Sequence, residues 1–153
     1  MKKKILPIGK QSYRKLREDN CIYVDKTQHI YNLCTLGSMY FLSRPRRFGK
    51  SLLLSTMAEL FRGSRELFDD TWILDKWDWT KRNPVLHISF LEIPYETYGL
   101  EEGIRMYLME LYKTNKVRPS KNRDIKTLFT QLIKKIYDKQ GQVVILIDRR
   151  AHV

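Results

Sequence analysis

Long apolar runs are missing from this chain. The longest, Val143 to Ile147, has five residues, where crossing a bilayer takes about 20, so no membrane-spanning helix is expected. Met1-Lys2-Lys3-Lys4 has the basic character of an export signal. The apolar stretch that must follow is cut short at Ile5 to Gly9, however, and no small-residue cleavage site appears; the chain is expected to remain in the cytoplasm. Cysteine is scarce. Cys21 and Cys34 lie thirteen positions apart and match neither a disulfide framework nor a C-x-x-C metal pair, so both read as reduced, partly buried thiols. His29, His87 and His152 share no ligand spacing with the cysteines or with one another, which argues against a metal centre built from them. No G-x-S-x-G elbow and no recognisable Cys-His arrangement points to covalent catalysis. Internal repeats, low-complexity tracts and Gly/Ser-rich or Pro-rich linkers are absent too, so the chain reads as one continuous unit.

Acidic residues are in deficit, with 17 Asp and Glu against 29 Lys and Arg, a net charge of +12 over 153 residues. Such an excess suits a nucleic-acid surface, an acidic lipid surface or a site for an anionic ligand. Outside the N-terminus the one dense basic group in the sequence is Arg44, Arg46, Arg47 and Lys50. Apolar residues make up 42% and aromatics 12%, which excludes disorder as a description of the whole chain. A chain of this length can bury roughly 70% of its unfolded surface, enough for one core without disulfides or metals.

Helical and extended patterns alternate. Ser12 to Arg17 reads as a helical turn and Ile22-Tyr23-Val24 as a short strand. Thr27 reads as the cap of a helix that places Ile30, Leu33 and Cys34 on one face and ends at Gly37. Met39 to Leu42 reads as a buried strand. From Lys50, the residues Leu52, Leu53, Leu54, Met57, Leu60 and Phe61 recur at three- and four-residue intervals up to Gly63, the pattern of a buried helix. Trp72, Trp77 and Trp79 fall in an irregular stretch whose rings are expected to pack on a small core. Val85 to Phe90 reads as a strand, followed by helices over Leu100 to Tyr112 and Asp124 to Lys139. Val143 to Ile147 is apolar on both faces, as central strands of parallel sheets are. Strands alternating with helices imply an α/β layered fold.

Between the strand at Met39 to Leu42 and the helix from Lys50 lies Ser43-Arg44-Pro45-Arg46-Arg47-Phe48-Gly49-Lys50-Ser51. A phosphate site needs converging backbone N–H groups, a helix N-terminus behind them and a lysine that reaches the terminal phosphates. Gly49 allows close backbone approach, Lys50 supplies the charge, and the Ser51 hydroxyl can coordinate Mg2+. The complete motif G-x-x-x-x-G-K-S/T places glycine six positions before the lysine, where this chain has Arg44. A bare Gly-Lys-Ser/Thr arises by chance in roughly one chain in ten of this length; the strand before and helix after it carry the assignment. Val143 to Ile147 then delivers Asp148 at a strand C-terminus, the edge where open parallel sheets bind ligands. In P-loop NTPases an aspartate so placed holds the Mg2+ bridging the β- and γ-phosphates, and a neighbouring acid orients the attacking water. The residue after Asp148 is Arg149.

Leu6-Pro7-Ile8-Gly9, Tyr23-Val24-Asp25-Lys26-Thr27, Tyr40 to Leu52, Pro84-Val85 and Val143 to Asp148 together resemble a bacterial family of AAA-ATPase-like proteins. These are P-loop domains that typically precede a restriction-endonuclease-like nuclease domain. The family's phosphate loop likewise carries arginine in place of the first glycine. The resemblance implies a three-layer P-loop NTPase fold, α/β with a mainly parallel sheet, incomplete at the C-terminus. It also implies ATP and Mg2+ as cofactors, with Arg46, Arg47, Phe48, Gly49, Lys50, Ser51 and Leu52 at the nucleotide and Ser51 and Asp148 at the metal. Leu6 to Gly9 would lie against adenine. The family pattern after the metal aspartate resembles Asp-Glu-Tyr-Asp, whereas this chain reads Asp148-Arg149-Arg150-Ala151-His152-Val153. Residues 1–153 are therefore expected to be the N-terminal part of a single P-loop domain, truncated, with no nuclease domain and defective hydrolysis.

The strand that normally separates the phosphate-loop strand from the aspartate strand would lie beyond residue 153, which implies unpaired strand edges and marginal stability. The competing reading is a basic nucleic-acid-binding module using Arg44, Arg46, Arg47 and Lys50, and a third is a non-functional remnant. Nucleic acid is also a possible partner through the family's association with nucleases, and no membrane partner is expected. The adjacent pairs Asp69-Asp70 and Glu101-Glu102 read as solvated, since neighbours on a helix do not converge on one atom.

Overall fold

Ser12 has an extended backbone, and its side chain accepts from the Lys15 N–H, so helix α1 (Tyr13–Glu18) begins where an N-cap residue requires it to begin. The computed structural model describes residues 4–36, 40, 49–119, 121 and 124–148. These fall into two compact units, residues 1–82 and 83–153.

In the first unit, α1 is followed by an isolated parallel bridge between Ile5 and Cys21, not by the strand expected at Ile22-Tyr23-Val24. The Ile22 N–H reaches the Ile5 carbonyl at 2.8 Å; Cys21 is buried and Tyr23 packs on the core while Ile22 and Val24 stay exposed, but among the described residues the pairing stops at this one bridge. Helix α2 (Thr27–Thr35) follows. Thr27 is its first residue rather than its cap. The Asp25 carboxylate takes the capping role, accepting from the Thr27 N–H at 2.8 Å and from the Trp72 N–H at 2.7 Å. One short acid thus starts α2 and ties it to a turn of 3-10 helix over Trp72–Asp75. The expected end of α2 at Gly37 lies outside the described residues, as does the expected strand Met39 to Leu42 apart from Tyr40.

Helix α3 (Lys50–Arg62) ends at Gly63, whose φ of +75° is the left-handed C-cap that the sequence signals. Its inward stripe joins a core of Tyr13, Ile30, Leu60, Leu67, Phe68 and Ile73, against which Leu52, Leu53, Met57, Trp77 and Trp79 pack. The tryptophan-rich stretch is largely irregular and structural. Phe68 stacks on Tyr13 at 4.8 Å between ring centroids, and Trp79 Nε1 donates to the Leu74 carbonyl at 2.7 Å. Burial of Cys34 pushes its thiol up to about 11, and Cys21 is also a buried free thiol, in keeping with the reading of both.

Glu59 is the polar exception on α3. It is 4% exposed and accepts from Arg14 at 2.6 Å, Ser64 at 2.7 Å and Arg62 at 3.0 Å. These donors join α1 and the residue after the Gly63 cap to the third turn of α3.

In the second unit, β1 (Val85–Ser89) and β2 (Val144–Asp148) pair in parallel, with Val85 opposite Val144 and Ser89 opposite Asp148. The connection between them contains α4 (Tyr95–Tyr98), α5 (Leu100–Thr114) and α6 (Ile125–Gln140). Asp124 caps α6 by accepting from the Thr127 N–H. Leu86 of β1 lies in a core with Leu108 and Tyr112 of α5 and Leu128, Leu132 and Ile136 of α6, the stripes that helical spacing marks. β2 is less covered than a strand apolar on both faces suggests: Leu146 is buried, but Ile145 and Ile147 are 38% and 53% exposed. Among the described residues the fold is therefore mixed helix and strand with a two-stranded parallel sheet.

Burial would raise the Glu59 carboxyl, but hydrogen bonds from Arg14 and Ser64 and the charges of Arg14 and Arg62 outweigh it and hold the group below its ordinary 4.5. A depressed folded value contributes stability that is present above the ordinary value and lost as pH falls through the depressed one. Urea unfolding measured from pH 7 to pH 2 should therefore lose stability below about pH 4.5. In Glu59→Gln that loss should be smaller, and stability at pH 7 should fall by about 1–3 kcal/mol.

Candidate functional site

α3 is built with two different ends. Its C-terminal half is buried through Thr56, Ala58, Glu59 and Leu60, while Gly49 and Lys50 at its start are exposed and Ser51 is half-buried. Gly49 is the N-cap residue, with φ +77° and ψ 20°, and it makes no side-chain cap hydrogen bond. The Gly49 carbonyl accepts from the Leu53 N–H at 2.9 Å, closing the first turn. The first turn contains no acidic residue, so no carboxylate side chain of its own offsets the positive end of the helix dipole. A glycine-led, acid-free turn with a lysine and a hydroxyl at its first two positions favours an anion electrostatically and leaves the backbone open to close approach.

The body of α3 fixes this turn in place. Leu52 and Leu53 pack on the core, Ser55 Oγ accepts from the Tyr13 N–H at 2.9 Å, and the buried Thr56 hydroxyl donates to the Leu52 carbonyl at 2.8 Å. Leu52 thus serves packing as well as lying next to the candidate phosphate turn. Of the residues expected at the nucleotide, Gly49, Lys50, Ser51 and Leu52 come together here; Arg46, Arg47 and Phe48 lie outside the described residues, as does Arg44.

Asp148 ends β2 and is half-buried. Its register partner is Ser89, whose N–H donates to the Tyr107 hydroxyl at 3.2 Å. That hydroxyl in turn lies 3.2 Å from Glu92 Oε2 and 3.4 Å from the His87 carbonyl, the acceptors open to its proton. Burial raises the Tyr107 phenol, and the nearby Glu92 charge adds to the effect. A tyrosine from α5 is therefore fastened to the C-terminal end of β1, beside Asp148. Spacing along α5 identifies Tyr107 only as a core residue; no sequence signal announces its hydroxyl as the link between Ser89 and Glu92.

The two expected Mg2+ ligands belong to different units, Ser51 to residues 1–82 and Asp148 to residues 83–153. A hydroxyl and a carboxylate are each oxygen donors of the kind that hard cations take. No group of three or more His, Cys, Asp or Glu placed to hold a metal by itself occurs among the described residues. His87 Nε2 is the buried side-chain atom without a hydrogen-bond partner among them. Leu6 and Ile8 are exposed, at 65% and 87%. No helix among the described residues is long and apolar enough to cross a membrane.

A family model described as predicted AAA-ATPase matches residues 7–150. The chain is also similar to an uncharacterized protein in the vnfD 5' region of Azotobacter chroococcum mcd 1, with 42% identity over 150 residues. That alignment takes in 97% of this chain and 29% of the relative, so the chain spans under a third of that protein's length. No solved structure matches.

Among the described residues Gly49 has no neighbour within 4 Å of the position a Cβ would occupy, whereas at Gly63 such an atom would meet the flexible Arg82 side chain at 2.8 Å. The cost of Gly49→Ala is then backbone strain alone, about 1–2 kcal/mol. Equilibrium unfolding of the two alanine variants should show Gly63→Ala losing at least as much as Gly49→Ala.

Proposed function

The chain belongs to the predicted AAA-ATPase family, and on that premise we propose that it binds a nucleoside triphosphate, ATP with Mg2+, at the first turn of α3. The observation that carries this reading is the Gly49-Lys50-Ser51 turn, glycine-led, acid-free and exposed at Gly49 and Lys50, on a helix whose far half is locked into the core. In this reading the backbone at Gly49 admits the phosphates, and Lys50 reaches the terminal ones. The Ser51 hydroxyl and the Asp148 carboxylate are the oxygen donors that would serve Mg2+, and the ion would supply positive charge to offset that of the phosphates. Arg46, Arg47 and Phe48 complete the loop, and Leu52 seats it. The parallel pairing of β1 and β2, with Asp148 at its C-terminal end, supports a place for these strands in a three-layer P-loop sheet. Residues 7–150, the stretch the family model matches, then belong to one such domain.

Hydrolysis is the weaker part of the chemistry. The sequence places Arg149 where a water-orienting acid is expected, and a guanidinium neither accepts a proton nor orients water as a carboxylate does. Losing acid-base assistance of this kind removes typically 10²- to 10⁴-fold in rate. The protein is therefore a nucleotide binder with slow turnover. The alternative, a basic module contacting nucleic-acid phosphates through Arg44, Arg46, Arg47 and Lys50, predicts no preference for a triphosphate and affinity that falls steeply with salt.

Calorimetric titration of the purified chain with ATP, repeated as Mg2+ is raised from none to excess, should show saturable binding that depends on Mg2+ and is abolished in Lys50→Ala. Unchanged affinity in that variant rejects the phosphate-loop assignment. Lys50-dependent phosphate release at an ordinary enzymatic rate of about 1 s⁻¹ or faster rejects slow turnover.

A further inference from the structure

A further excess of basic charge lies far along the chain from the phosphate-loop candidate. Residues 113–139 hold nine Lys and Arg against two acids, Asp124 and Asp138, a net +7 of the chain's +12. In sequence these cations are dispersed through the end of α5, a connecting loop and α6. The fold brings four of them together, Lys116, Arg118, Lys135 and Lys139. Lys135 Nζ donates to the Arg118 carbonyl at 2.8 Å and Lys139 Nζ to the Lys116 carbonyl at 3.4 Å, which lays the loop from Lys116 to Pro119 along the C-terminal half of α6. Lys116, Arg118, Lys121, Lys134 and Lys139 are all exposed.

The contrast with residues 1–82 is chemical. There Lys4 and Arg17 pair with Asp70, Lys10 with Asp19, and Arg14 and Arg62 with Glu59. Among the described residues, none of Lys116, Arg118, Lys121, Lys134, Lys135 and Lys139 forms a salt bridge with a carboxylate. Unpaired like charges brought together repel and cost folding free energy, a cost a polyanionic partner removes.

We propose that this ridge binds a single strand of nucleic acid through its phosphate backbone. Two observations favour a strand over an anionic membrane. A helix that lies on a membrane must sink an apolar face into it, and the apolar face of α6 is already occupied: Leu128, Leu132 and Ile136 are buried in the core, with Ile125, Phe129 and Ile133 packed against it. The large apolar side chain that α6 leaves outside is Tyr137, 59% exposed and three residues past Lys134, on the same side of the helix. An accessible ring with a cation one turn away offers an unpaired base a stacking surface while a neighbouring phosphate is neutralised. This ridge is separate in sequence from the Arg44 to Lys50 group, and the inference stands whether or not ATP binds.

The test is fluorescence anisotropy of a labelled single-stranded DNA, titrated with the full chain at several salt concentrations. A strand of about 20 nucleotides exceeds the roughly 4–16 that a small binding domain covers. Three proteins are compared: wild type, the ridge triple variant Arg118→Gln, Lys121→Gln, Lys134→Gln, and a control triple variant Lys15→Gln, Lys26→Gln, Lys76→Gln with the same loss of charge in residues 1–82. The ridge variant should lower the slope of log affinity against log salt by about 2, since each neutralised contact contributes roughly 0.7 on a single strand; the control should leave it near the wild-type value. Tyr137→Ala, which changes no charge, should weaken binding several-fold or more without altering the slope. Equal weakening by the two triple variants overturns the proposal, because the effect then belongs to overall charge. So does an inert Tyr137→Ala, or tighter binding of wild type to phosphatidylserine-containing vesicles than to the strand. Matching far-ultraviolet circular dichroism of all variants, with a Lys134→Arg protein that keeps wild-type affinity, ties any loss to the ridge.

Discussion

The carboxylate of Glu59 sets the geometry on which residues 1–82 depend. A buried, ionised acid is tolerated only where donors surround it, and its donors come from before the helix, within it and just past its end: Arg14, Arg62 and Ser64. Satisfying that one group fixes α1 against α3 and sets the path of the chain after Gly63. At the opposite end of α3, Gly49 and Lys50 are exposed. The candidate phosphate turn is presented at the surface because the far end of its helix is held.

Much of this is legible in the sequence wherever a periodic pattern meets a terminating residue. The Leu52 to Phe61 stripe closing at Gly63, the α5 and α6 stripes, and the apolar run leading to Asp148 each combine spacing with a cap or a boundary, and each forms an element within a residue or two of those limits. Ile22-Tyr23-Val24 forms no strand, for a reason that spacing does not contain. A strand needs a partner as well as a face to bury; among the described residues Ile5 supplies one bridge and the pairing stops there. Thr27 has the chemistry of a cap, but so does Asp25, and only the tertiary position of Trp72 distinguishes them, since Asp25 gains a second donor there.

The site divides along the same line. Gly49, Lys50 and Ser51 are recognisable because phosphate binding is local chemistry at a helix start. Tyr107 and Glu59 are not, because their significance lies in hydrogen bonds between segments apart in the chain. The basic ridge escapes a linear reading for a related reason: its cations are thinly spread in sequence, and become a surface only when Lys135 and Lys139 fasten the preceding loop to their own helix.

The register of β1 on β2 brings Val85 against Val144, with three α-helices in the chain between them. Closing a loop of that length costs conformational entropy before any ladder bond is made, whereas α5 and α6, neighbours in the chain, meet through Leu108, Tyr112, Leu128 and Leu132 at far smaller separation. The helical hairpin is therefore the natural early event in residues 83–153, and the sheet the late one. Asp148 reaches the end of its ladder only in that late step, so the carboxylate proposed for the metal is positioned after the framework around it has condensed.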